Sequence, residues 1–68
     1  DQMGYEIAEE EYRLALLYIE RILESLSLMA FDREMFEWLE SSRTKAQELH
    51  NEIQKHLEML IRRKNSLS

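Results

Sequence analysis

Apolar residues recur along the first half of the chain as Tyr5, Ala8, Tyr12, Ala15, Ile19, Ile22 and Leu26. The steps alternate between three and four, which is the period of one helical face and of a heptad seam. Leu16 and Leu23 widen that seam into the broader face of a globular helix. The pattern predicts a first helix over about 7–28, with residues 1–6 frayed ahead of it. Glu9, Glu10 and Glu11 then fall in its opening turns, where the positive end of the macrodipole favours carboxylates. Leu14, Leu17, Tyr18 and Leu28 form a second apolar stripe outside the seam. One neighbouring helix cannot cover both, so the second stripe implies a third or fourth helix.

A second periodic stretch reads Met35, Leu39, Ser42, Ala46, Leu49, Ile53, His56 or Leu57, and Leu60. It predicts a second helix over about 33–64, thickened near its start by Phe36 and Trp38. Arg62, Arg63 and Lys64 end it with cations at the negative end of the dipole. Between the two lies a turn at about 29–32. Asp32 is placed to cap the second helix through its carboxylate, and Phe31 and Phe36 occupy the N′ and N4 positions of a hydrophobic staple. No glycine or proline enforces this turn, so one unbroken helix is the competing arrangement. At about 1.5 Å per residue the helices span roughly 32 and 48 Å. About ten residues at the far end of the second, including Leu57, Leu60 and Ile61, are then left uncovered by the first.

Composition agrees with this all-α reading. Proline and valine are absent, Gly4 is the only glycine, and the good helix formers Leu, Glu, Ala, Arg, Lys, Gln and Met dominate. A chain of 68 residues makes one small domain, and its core is marginal without staples. The absence of cysteine removes disulfides and thiolate metal sites and fits a reducing, cytoplasmic setting. Oligomerisation remains as the way to gain buried area. The expected fold is an antiparallel two-helix hairpin, residues 1–68, that dimerises into a four-helix bundle.

The net charge of −5 is unevenly spread. Residues 1–40 carry eleven acidic and three basic side chains, and residues 41–68 carry three acidic and six basic ones. An acidic first helix beside a basic second one favours antiparallel pairing. The overall acidity argues against a nucleic-acid binder, which needs a basic surface. No apolar run approaches a membrane span, and no signal-peptide pattern opens the chain. A start at Asp1 in place of methionine fits a segment of a longer protein.

Candidate chemistry is sparse. His50 and His56 are six residues apart, so they diverge by about 120° around a helix and cannot chelate together as a pair three or four apart would. His56 reads as a seam-edge residue; buried between copies, its protonation would weaken association. Glu9 to Glu11 read as a solvated turn, and Arg62 to Lys64 as dipole compensation. Tyr12, Tyr18 and Trp38 read as packing anchors. There is no phosphate loop, nucleophile elbow or Cys–His pair. The reading is therefore of a protein that is not an enzyme and has no cofactor or metal. Its expected interface residues are Tyr12, Leu14, Leu16, Leu17, Tyr18, Ile19, Leu23, Trp38, Leu49, Ile53, Leu57 and Leu60. The expected partner is a second copy, with another protein as the alternative.

Two stretches carry resemblances. Ile7-Ala8-Glu9-Glu10-Glu11-Tyr12-Arg13-Leu14-Ala15 followed by Ile19-Glu20-Arg21-Ile22-Leu23, with Arg43, Ala46 or Gln47, Leu49, Glu52 and Ile53 further on, resembles the N-terminal helical segment of bacterial antitoxin-like regulators of the XRE helix-turn-helix type. That resemblance implies an interaction segment that neutralises a protein partner, without the DNA-reading domain. Ala46-Gln47-Glu48-Leu49-His50 resembles the Ser-Gln-Glu-Leu-Asp motif of the helical-hairpin aspartyl-phosphatases of sporulation. Here Ala46 and His50 replace the motif's serine and functional aspartate, so the activity is not carried over.

Overall fold

A computed structural model describes residues 2–29 and 33–67 as two α-helices, α1 (Gln2–Leu28) and α2 (Arg33–Ser66). They pack along one another as an all-α antiparallel hairpin. The direction is fixed at both ends: Glu9 of α1 meets Lys64 of α2, while Leu26 and Leu39 line one cleft near the turn. Two helices running in opposite directions exclude one unbroken helix. The backbone N–H of Met29 donates to the Leu26 carbonyl at 3.3 Å, and the Ser27 hydroxyl donates to the Leu23 carbonyl at 3.0 Å, tightening the last turn of α1. Asp32 and Phe31, the expected cap and half of the expected staple, lie outside the described residues. Phe36 is exposed.

The first helix starts five residues earlier than its pattern predicts. Gln2 to Glu6 are helical, and Tyr5 and Ala8 are half-buried against α2. This also changes the account of the acidic cluster: Glu9 to Glu11 sit two turns inside α1, away from its dipole end. Glu9 instead pairs with Arg13 at 3.6 Å and Lys64 at 3.5 Å. The longer α1 covers the end of α2. The molecule is 53 Å long, scarcely more than the roughly 51 Å of α2 alone, so the two helices lie side by side along their length. Leu57, Leu60 and Ile61, expected to be bare, are buried or half-buried.

The core is thin. Leu16, Ile19, Leu39 and Leu57 are the buried apolar residues among those described, and none is fully enclosed. On α2 the seam runs Leu39, Ser42, Ala46, His50, Ile53, Leu57, Leu60 and Lys64. His50 takes the position expected for Leu49, which is 48% exposed. Ser42, Ala46 and His50 are small or polar, so α2 contributes little apolar area to the middle of the hairpin, where the buried side chains are Leu16 and Ile19 of α1.

Candidate interaction surface

The expected interface residues divide into two groups. Leu16, Ile19 and Leu57 are buried, and Tyr12, Leu23, Ile53 and Leu60 half-buried, inside the single hairpin. They hold α1 to α2. Leu14, Leu17, Tyr18, Trp38 and Leu49 are exposed. They form two patches, with Leu14, Leu17 and Tyr18 on α1, and Trp38 and Leu49 on α2. The latter two are separated by only about 20° around the helix axis.

The α1 patch extends further than those three residues. Met3, Ile7, Glu10, Leu14, Leu17, Arg21, Glu24 and Leu28 are all exposed, and their steps run four, three, four, three, four, three, four. That is an uninterrupted heptad seam of the same length as α1. Its mean direction lies about 160° around the helix from Leu16, Ile19 and Leu23. The helix thus carries two opposite seams, one used against α2 and one facing solvent. Tyr18 flanks the outer seam. Tyr18, Arg21, Ile22 and Ser25, with Leu26 behind them, line a shallow cleft there. The first four sit at i, i+3, i+4 and i+7, the set that forms a hole for a knob from a facing helix. A hydrophobic scan misses this seam because three of its eight positions are charged.

His56 is exposed and outside the α2 seam, with its ring stacked on Tyr12 of the same chain. Leu57 holds the seam position instead. Among the described residues no group of three His, Asp or Glu is placed to hold a metal ion. No described helix is long and apolar enough to cross a membrane. Another surface cleft lies between polar side chains of α2, Glu40, Arg43, Thr44, Gln47 and Glu48. No family model, curated protein or solved structure matches this chain.

Proposed function

We propose that this chain is a non-enzymatic self-association module, in which two hairpins join through the outer seam of α1 into one four-helix body. The observation that carries this reading is the exposure of Leu14 and Leu17, at 59% and 47%, in the middle of a seam with complete heptad spacing. Solvent gains nothing from ordered apolar spacing, whereas a facing helix buries it. Covering such side chains is worth about 1 kcal/mol or more each, and a core as thin as this one is further stabilised by the addition. The reading calls for no cofactor, metal, membrane or nucleic acid, and places the protein in the cytoplasm.

The resemblance of residues 7–23 to antitoxin-like regulators favours a second reading, in which the same face captures one particular protein. The two are separated by substituting Leu14→Glu and Leu17→Glu and measuring sedimentation velocity. Self-association predicts a dimeric wild type and a folded, monomeric double variant. A wild type that is monomeric at high concentration, with its helicity intact, selects the regulator.

A further inference from the structure

We infer that the two copies meet through α1 alone, antiparallel, with a two-fold axis midway between Leu14 and Leu17. This rests on the self-association proposed above and adds its orientation and its charge code.

The inference comes from the order of residues along the outer seam. Taken with its own copy running the other way, the seam pairs Met3 with Leu28, Ile7 with Glu24, Glu10 with Arg21, and Leu14 with Leu17. Every layer is of the a-against-d kind that antiparallel coiled coils use. The two-fold symmetry makes each contact occur twice, as an isologous interface requires. The centre is apolar on both sides, and the Glu10 carboxylate of each chain meets the Arg21 guanidinium of the other. A parallel arrangement in register sets Glu10 against Glu10, Glu24 against Glu24 and Arg21 against Arg21, three like-charge layers. Shifting the antiparallel pair by one heptad either way breaks the Glu10–Arg21 contact and shortens the overlap.

Two structural observations support the pairing. Among the described residues neither Glu10 nor Arg21 has an ion-pair partner within its own chain. Arg21 also lines the shallow cleft of Tyr18, Ile22 and Ser25 at the edge of the seam, so its side chain borders a recess open to a facing helix. Because the two seams of α1 point in opposite directions, the helices lie in the order α2, α1, α1, α2, as a flat layer in place of a square bundle. Trp38 and Leu49 then stay outside the contact.

The orientation is read with one label and two charge reversals. The sequence has no cysteine, so Ser25→Cys introduces a single, nearly isosteric attachment point on the seam's edge. With a spin label there, the antiparallel dimer gives a separation of roughly 28 Å along the axis, nineteen residues of rise. A parallel one gives about 10 Å, one interhelical distance. Glu10→Arg and Arg21→Glu each turn two attractive contacts into two repulsive ones. Each alone should weaken the dimer roughly ten-fold, the two mixed in equal amounts should form a heterodimer, and the double reversal should restore wild-type affinity. A dimer with labels near 10 Å, or one indifferent to both single reversals, overturns the antiparallel α1 pairing while leaving self-association standing. A monomeric wild type overturns both.

Discussion

Tyr12 lies flat against His56, with ring centroids 6.5 Å apart and planes inclined by 14°. The stack joins the two helices where the core is only partly closed, since Tyr12 is half-buried and His56 exposed. It engages the tyrosine through its ring. Tyr12→Phe should leave urea-induced unfolding within about 0.5 kcal/mol of wild type, while Tyr12→Ala should cost about 1–2 kcal/mol. A double-mutant cycle with His56→Ala should return a coupling of about 0.5–1 kcal/mol. Zero coupling would mean that the rings are neighbours without interacting.

Leu57 and Leu49 are chemically identical and sit on the same helix, yet they should respond differently. Leu57 is 4% exposed, so Leu57→Ala should cost about 2–4 kcal/mol, enough to unfold much of a domain this small. Leu49→Ala should move stability by less than about 0.5 kcal/mol. His50→Leu, which places an apolar side chain in the seam position, should raise the unfolding midpoint. Urea titrations of the three variants check the assignment.

Gly4 tests where α1 begins. It lies inside the helix without a positive φ, and a Cβ added there meets nothing within 4 Å. Gly4→Ala should therefore stabilise the protein by about 0.5–1 kcal/mol and increase its helical circular dichroism. If residues 2–6 were frayed, the substitution would change neither.

Ile19 and Leu14 separate folding from association. Ile19 is buried against α2, so Ile19→Asp should abolish helical structure along with any assembly. Leu14→Glu should leave the far-ultraviolet spectrum of a helix and lower the mass. Trp38→Ser on the other exposed patch should change neither. Circular dichroism read beside sedimentation gives all three results from the same samples.

The helical content, the hairpin, the break near residue 29 and most of the α1–α2 seam were legible from apolar spacing and the absence of breakers. The early start of α1 was not, because Gly4 weakens the helix signal of Gln2, Met3 and Glu6 around it; the half-burial of Tyr5 and Ala8 marks where packing sustains the helix. Leu49 was misplaced for a geometric reason. A strict repeat of 3.5 steps from Ala46 to Leu49, whereas a straight helix of 3.6 residues per turn drifts by about 20° per heptad and brings His50 under α1. The outer seam was only half visible, since Glu10, Arg21 and Glu24 interrupt its apolar residues. It emerges once every member is seen to be exposed on the side opposite α2.

A second copy is proposed to cover the outer face of α1. Sedimentation equilibrium of the full chain, taken over a wide concentration range at neutral pH, tests it most directly. Self-association predicts a mass rising to twice the 8.3 kDa chain, with thermal stability increasing with concentration because folding and association are linked. A constant mass of one chain throughout, with full helicity and a concentration-independent midpoint, would contradict it.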